Sequence, residues 1–140
     1  MSENAKALAE FRKKLEMLLG DFDESAKRVV VAQANHGMGV TMRNTPVGKS
    51  YPGHVGGTLK RGWKRGKYSK VGNAHVSGYS NNVEYGAYVN NGHRTVNQKG
   101  ETTGWVEGRF MLEKGVNEAD RKLPQLFDAE IARIKRETGF

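Results

Sequence analysis

Apolar residues recur at three- and four-residue steps through the first third of the chain, and charged residues fill most positions between them. The apolar positions are Ala7, Leu8, Phe11, Leu15, Leu18 and Leu19, followed by Phe22, Ala26, Val29, Val30 and Ala34. This spacing predicts amphipathic helix. Gly20 and Asp21 favour a break or a bend, with Asp21 or Asp23 capping a second helix that runs to about residue 34. One long bent helix is the alternative.

The last part of the chain carries a second pattern of the same kind. Its apolar positions are Phe110, Met111, Val116, Leu123, Leu126, Phe127, Ile131 and Ile134. They predict a helix, and basic residues gather near its C-terminal end, where they complement the helix dipole. Pro124 lies inside the pattern and is expected to kink the helix or to begin a new turn.

Between the two helical parts the pattern changes to glycine, proline and alternating aromatic positions. Residues 45–57 contain two prolines and four glycines with few apolar residues, which predicts a loop. Residues 59–68 and 74–79 have the composition and alternation of strands. A turn at residues 71–73 is expected to join them.

The following stretch is less clearly patterned. Asn81 and Asn82 mark a second turn, and residues 83–89 are compatible with either a short helix or a strand. Residues 90–104 are polar and contain glycine, which predicts a mobile loop. The order of helix, small antiparallel sheet with long glycine-rich loops, and helix predicts an α+β fold.

Length and composition set further bounds. A chain of 140 residues is expected to form one domain, helical over 1–44, basic and glycine-rich over 45–106, and helical over 107–140. The absence of cysteine excludes disulfides and thiolate metal sites. No run of about 18 apolar residues occurs, so no membrane span is expected. The polar start, which carries Glu3, does not resemble a secretory signal.

The positive charge is concentrated in the middle of the chain. Residues 45–106 hold nine basic and two acidic side chains, which accounts for most of the net charge of +8. Candidate DNA-facing residues are Lys60, Arg61, Lys64, Arg65, Lys67 and Lys70. Trp63 and Tyr68 lie among them, as in strands that track a phosphate backbone and stack on bases. We favour the alternative, which is an edge strand protected by lysines or a protein–protein contact.

Catalytic and cofactor patterns are missing from the sequence. The histidines, His36, His54, His75 and His93, are isolated from one another, so neither a metal nor another cofactor is expected. No serine sits in a nucleophile motif. A Gly-Lys-Ser triplet at 48–50 lacks the glycine that a phosphate-binding loop requires at position 43, which is Arg43. The sequence therefore does not predict an enzyme.

Three ordered motifs carry a family resemblance. The first is Thr-Pro-Val at 45–47 continued, after an insertion, by Gly-Thr-Leu-Lys-Arg-Gly-Trp at 57–63. The second is Val-Glu-Tyr-Gly-Ala-Tyr-Val-Asn-Asn-Gly-His-Arg at 83–94, and the third is Gly-Arg-Phe-Met-Leu at 108–112. In this order the chain resembles the tail-component family of long-tailed bacteriophages, which includes tail-completion, neck and head-tail joining proteins. It departs from the family pattern by an insertion at 48–56 and by Asn90, where the family has glutamate.

The resemblance implies a structural role without catalysis. It implies a ring-forming subunit, commonly a hexamer, that joins or closes the tail at the head-tail interface of a virion assembled in the host bacterial cytoplasm. The implied partners are copies of itself, neighbouring neck, connector and tail-tube or tail-terminator proteins, and DNA that passes through the ring without sequence readout. No membrane partner is implied.

Two segments are expected to become ordered against partners, residues 46–57 and 92–104. Large aromatic side chains beside glycines suit subunit contacts, because they supply contact area at small entropic cost. The candidate interface residues are Leu59, Trp63, Tyr85, Tyr88, Val89, Arg94, Trp105 and Phe110. A small basic nucleic-acid-binding module that uses residues 60–70 remains the alternative function.

Overall fold

A computed structural model describes residues 2–139 of the chain. In chain order its elements are α1 (Glu3–Arg43), α2 (Thr58–Arg61), β1 (Trp63–Arg65), β2 (Ser69–Val71), β3 (Ala74–Val76), β4 (Tyr79–Asn81), α3 (Gly86–Asn91), β5 (Gly92–Val96), β6 (Thr102–Glu107) and α4 (Met111–Thr138). The predicted α+β fold is confirmed. The strands form three separate antiparallel pairs rather than one sheet, in the order β1–β4, β2–β3 and β5–β6.

The N-terminal helix is one continuous element of 41 residues. The side chain of Ser2 caps it by accepting a hydrogen bond from the amide of Ala5 at 3.1 Å. The predicted break at Gly20 and the caps at Asp21 or Asp23 are therefore wrong, and the single-helix alternative is correct. One glycine costs a helix only about 1 kcal/mol, which is too little to end a helix that packs along much of its length.

The two long helices pack against each other in antiparallel directions. Ser25 of α1 accepts a hydrogen bond from the guanidinium of Arg133 at 2.9 Å, while Gly37 lies beside Ala119 near the other end of the pair. Buried apolar residues of the core are Val29, Val40, Leu59, Met111, Ala119 and Ile134. α4 continues through Pro124, so the predicted new turn does not occur there.

Glycine permits the closest approach of the helices. A Cβ atom on Gly115 would overlap the hydroxyl of Thr41 and would lie 2.5 Å from the carbonyl oxygen of Gly37. The hydroxyls of Thr41 and Tyr79 share a hydrogen bond of 2.9 Å at the same place. The end of α1, the start of α4 and strand β4 therefore meet at a contact that has no room for a larger residue at position 115.

Strands β1 to β4 form one long hairpin with an interruption. The turn at Gly72 and Asn73 joins β2 to β3 as predicted, and Gly72 has a φ of 59°. Three residues, 66–68, separate β1 from β2, whereas two residues, 77 and 78, separate β3 from β4. The extra residue splits the hairpin into two pairs, and the amide of Gly66 bridges the gap by donating to the carbonyl of Gly78 at 2.7 Å.

Two predictions for the middle of the chain are wrong. Residues 59–68 are not one strand, because Thr58–Arg61 forms the helical turn α2 and strand pairing begins only at Trp63. Residues 90–104 are not a loop, because β5 and β6 pair over most of this segment. Residues 83–89, for which helix and strand were both left open, contain the start of a helix, because α3 begins at Gly86.

Candidate assembly surface

Two tyrosines lie at the surface of short helix α3, Tyr85 at its N-cap position and Tyr88 within it. Tyr85 is 47% exposed and Tyr88 is 61% exposed, while Val89 is half-buried behind them. A shallow groove of about 500 Å³ is lined by Tyr85, Tyr88, Val89, His93, Arg94 and Val96, which we call the aromatic surface. The rings of Tyr88 and His93 meet edge to face, with centroids 6.1 Å apart. Exposed aromatic side chains of this kind are typical of protein contact surfaces.

The loop at residues 46–57 lies against the same helix. A second cavity, of about 260 Å³, separates this loop from Tyr85 and Val89, so these two residues face both cavities. The loop is closed at its base, because a Cβ atom on Gly56 would overlap the backbone of Gly48. The carbonyl of Gly56 also accepts a hydrogen bond from the Arg61 guanidinium at 2.8 Å. The structure thus places the first predicted partner segment beside Tyr85 and Val89.

The β5–β6 hairpin supplies the second predicted partner segment. All six residues of β6 are exposed, and Trp105 is 61% exposed. The Trp105 ring crosses over Gly92, where an added Cβ atom would lie 3.0 Å from it. Gly92 has a φ of 83°, a backbone conformation that favours glycine. The hairpin therefore starts at a glycine-dependent turn and exposes side chains on both faces.

Asn90 connects the aromatic surface to the core, and sequence reasoning missed it. Its side chain is largely buried, accepts a hydrogen bond from the Leu112 amide at 3.0 Å and donates to the Glu113 carboxylate at 3.0 Å. Its backbone carbonyl accepts from the Phe110 amide at 3.0 Å. The sequence did mark this position, because the family that the chain resembles has glutamate where this chain has Asn90. A glutamate there would bring a second carboxylate to Glu113.

Two of the predicted interface residues lie inside the chain. Leu59 is only 3% exposed. Trp63 is half-buried, donates its indole N–H to the hydroxyl of Thr45 at 2.9 Å, and packs edge to face on Tyr79 at 5.8 Å. These residues hold the middle segment on the end of α1. The remaining candidates, Tyr85, Tyr88, Val89, Arg94, Trp105 and Phe110, are exposed or half-buried.

The predicted basic residues do not lie on one strand. Lys60 and Arg61 belong to the helical turn α2, and Arg61 is tied to the loop at 46–57. Lys64 and Arg65 lie on β1 and Lys67 follows it, all three exposed. Within residues 2–139, none of these three side chains forms an ion pair.

The sixth basic candidate, Lys70, belongs to a polar cluster that fastens the β2–β3 pair to α1. Its ammonium lies 2.8 Å from the Asp23 carboxylate, which is also 3.1 Å from His75 Nε2. The hydrogen bond from Lys70 holds the pKa of Asp23 below its ordinary value, and the same bond raises the pKa of Lys70. On the other side of the ring, His75 Nδ1 lies 2.6 Å from the Tyr68 hydroxyl.

The described residues contain neither a metal-binding cluster nor a membrane-spanning helix. Over residues 2–139, no group of three or more histidine, aspartate or glutamate side chains is arranged to hold a metal ion. Within the same described range, no helix has the length and apolar character needed to cross a membrane. The histidines that the sequence singled out, such as His75 and His93, make contacts with aromatic neighbours instead.

Comparison with known proteins identifies the family. Searches against curated proteins and against solved structures each found no match. Residues 9–92 match the model of the HK97-gp10-like family, described as "Bacteriophage HK97-gp10, putative tail-component". The match spans more than half of the chain and includes α1 from residue 9 onward, the β1–β4 hairpin and α3 with its exposed tyrosines. The chain therefore belongs to the HK97-gp10-like family of bacteriophage tail components.

Proposed function

We propose that this protein is a ring-forming neck or tail-completion subunit, present in about six copies, that joins or closes the tail at the head-tail interface of the virion. The observation that carries the proposal is the aromatic surface, which lies between the 46–57 loop and the β5–β6 hairpin in a chain of a phage tail family. Exposed tyrosines beside two projecting segments suit contacts with neighbouring subunits. The proposed role involves no catalysis.

The proposed partners are copies of this chain together with neighbouring neck, connector, tail-tube or tail-terminator proteins. A ring needs two different patches on each subunit, because the contact is head-to-tail. The aromatic surface supplies one such patch. The exposed β5–β6 hairpin, with Trp105 at its surface, supplies a segment that can reach a neighbour.

Deletion of the protein from its phage tests the proposal. We expect electron micrographs of the lysate to show filled heads and tails that remain separate, or tails of irregular length. Supply of the wild-type chain from a plasmid should restore joined particles, and immunogold labelling should place it at the neck end of the tail. Normal infectious particles without the chain would overturn the proposed role.

Exposed basic residues support a second candidate, a small nucleic-acid-binding module. Lys64, Arg65 and Lys67 are exposed and form no ion pair within the described residues. In a ring they would face DNA that passes through the channel; in a module they would bind duplex DNA on their own. The module predicts DNA binding by the purified monomer that weakens steeply with salt and weakens again in a variant with glutamine at these three positions.

A further inference from the structure

The far part of the long hairpin, residues 67–76, has no apolar anchor on the helices. We call it the outer hairpin; it contains β2, the turn and β3. Its valines, Val71 and Val76, are 67% and 46% exposed. Within it only Tyr68 and His75 are partly buried. Because an isolated strand pair is marginally stable and buries little apolar surface here, polar contacts are what hold the outer hairpin in place.

Those polar contacts converge on one short stretch of α1. The Asp23 carboxylate lies 2.8 Å from Lys70 Nζ and 3.1 Å from His75 Nε2. The Lys27 ammonium lies 5.0 Å from the centre of the Tyr68 ring, whose hydroxyl is hydrogen-bonded to His75. Within residues 2–139, every hydrogen bond, ion pair and ring contact between the outer hairpin and the helices involves Asp23 or Lys27. We call these five residues the latch.

Glycines flank the outer hairpin on both strands. Gly66 and Gly78 lie in the gap between the β1–β4 and β2–β3 pairs, where a hydrogen bond of 2.7 Å joins their backbones. A Cβ atom on Gly78 would meet no atom within 4 Å. Glycine accommodates changes in φ and ψ more readily than other residues, so the backbone can bend at this gap while both strand pairs stay intact.

An apolar cavity lies beside the outer hairpin. It has a volume of about 400 Å³ and separates residues 75–79 from the two long helices. On the helix side it is lined by Val30 and Ala34 of α1 and by Val116 and Ala119 of α4. Close packing of side chains is what makes a protein interior rigid, and the hairpin lacks such packing on this side. The cavity therefore leaves room for the outer hairpin to move.

We propose that the outer hairpin is a hinged flap, which the latch closes onto α1 and which swings about Gly66 and Gly78 while the rest of the chain stays folded. The latch is weak, because the side chains of Lys70 and Asp23 are 40% and 53% exposed and salt screens exposed ion pairs. Opening therefore increases with ionic strength. It separates Lys70 from its carboxylate and uncovers the apolar cavity. The flap is a property of the single chain and does not depend on the proposed assembly role.

Pulsed electron paramagnetic resonance between two spin labels tests the flap, because the chain contains no cysteine that would compete for the labels. One label is attached at Asp128→Cys on α4 and the other at Asn73→Cys in the turn of the outer hairpin, both exposed positions. In the matched control pair, Lys64→Cys replaces Asn73→Cys; Lys64 is exposed on β1, on the other side of the hinge. We expect Asp23→Asn to raise the population of long distances about threefold for the Asn73 pair and to leave the Lys64 pair unchanged. An unchanged Asn73 pair would overturn the latch, and equal broadening of both pairs would overturn the hinge.

Salt and a glycine variant give independent readouts with the same Asn73 pair of labels. Salt at about 1 M should broaden the distances in the wild-type latch and add little in Asp23→Asn, where the ion pair is already lost. Gly78→Ala has room for its methyl group and restricts the backbone, so it should narrow the distances of the Asp23→Asn protein. Gly48→Ala, which also has no neighbour within 4 Å but lies in the 46–57 loop, is the control and should leave them unchanged. Distances that respond to neither salt nor Gly78→Ala would overturn the proposal.

Discussion

The side-chain oxygen of Asn90 accepts a hydrogen bond from the backbone amide of Leu112, at a distance of 3.0 Å. Leu112 lies in the first turn of α4, where amides have no partner within the helix. Phe110, at the N-cap position, has a φ of 49° and provides no side-chain cap. Asn90 therefore caps α4 from the end of α3. This bond fixes the aromatic surface relative to the long helices.

Replacement of Asn90 by alanine is expected to lower the free energy of unfolding by about 1–3 kcal/mol, the usual cost of leaving buried hydrogen-bonding groups without a partner. The Leu112 amide and the Glu113 carboxylate both lose a bond in this variant. Urea denaturation followed by circular dichroism measures the change. Asn82→Ala, at an exposed asparagine, serves as the control and should leave stability nearly unchanged. A similar loss in both variants would contradict the capping role.

The helices were predictable because apolar residues recur at the helical period, both where that face is buried, as at Val29, and where it is exposed, as at Leu8. The apolar steps from Leu8 to Ala34 and from Met111 to Ile134 both correspond to real helices. The break at Gly20 was wrong because local propensity is weak compared with packing. Helix propensity alone marks Gly37 only as a weak helix former. In the structure a glycine at this position lets α4 approach α1 closely.

The β5–β6 hairpin was not predictable by the same method. Alternation marks a strand only when one of its faces is buried, and all six residues of β6 are exposed. The tyrosines of α3 were found from composition and from the family motif. The cavity that Tyr85 shares with the 46–57 loop, and the role of Asn90, depend on residues far apart in sequence and required the structure.

Two glycines in the long helices are expected to respond in opposite ways to alanine. Gly115→Ala should destabilise the protein by about 1–3 kcal/mol, because the new methyl overlaps Thr41 and the backbone of Gly37. Gly20→Ala should stabilise it by up to about 1 kcal/mol, because no atom lies within 4 Å and alanine favours helix. Thermal unfolding of both variants measures the contrast. Stabilisation by Gly115→Ala would show that the helices can separate there at little cost.

The ion pair of Asp23 and Lys70 is expected to give a pH-dependent contribution to stability. The pKa of Asp23 is lowered from 3.8, so its contribution is present above pH 3.8 and is lost as the pH falls through the lower folded-state pKa. The pKa of Lys70 is raised from 10.5, so its contribution is present below pH 10.5 and is lost as the pH rises through the higher folded-state pKa. The ion pair is therefore expected to stabilise the folded state fully between pH 3.8 and pH 10.5.

The measurement is the difference in Tm between wild type and Asp23→Asn across that range. We expect wild type to have a slightly higher Tm at neutral pH, and this difference should disappear at both the acidic and the alkaline limit. It should also shrink in 1 M salt, where the Debye length is about 3 Å. His75 also contacts Asp23, so Lys70→Gln should remove only part of the effect. Asp128→Asn, at an exposed carboxylate, is the control. A difference that is independent of pH would exclude the ion pair as its source.

Replacement of Tyr88 by alanine is expected to block assembly while the chain stays folded. Tyr88 is 61% exposed and touches mainly His93, so its loss should change the free energy of unfolding by no more than about 1 kcal/mol. Contact aromatics at a subunit interface commonly contribute 2 kcal/mol or more to binding, which is about thirtyfold in affinity. Complementation of a phage that lacks the protein should then give few joined particles.

Val71→Ala is the matched control for Tyr88→Ala, because Val71 is 67% exposed at the end of the β2–β3 pair and lies outside the aromatic surface. It should support normal numbers of joined particles. Binding of duplex DNA, if the purified chain shows any, should be the same for wild type and Tyr88→Ala, since the exposed basic residues Lys64 and Arg65 are unchanged. Normal assembly of folded Tyr88→Ala protein would show that the subunit contact does not involve this part of α3. A loss of DNA binding in that variant would instead favour the nucleic-acid module.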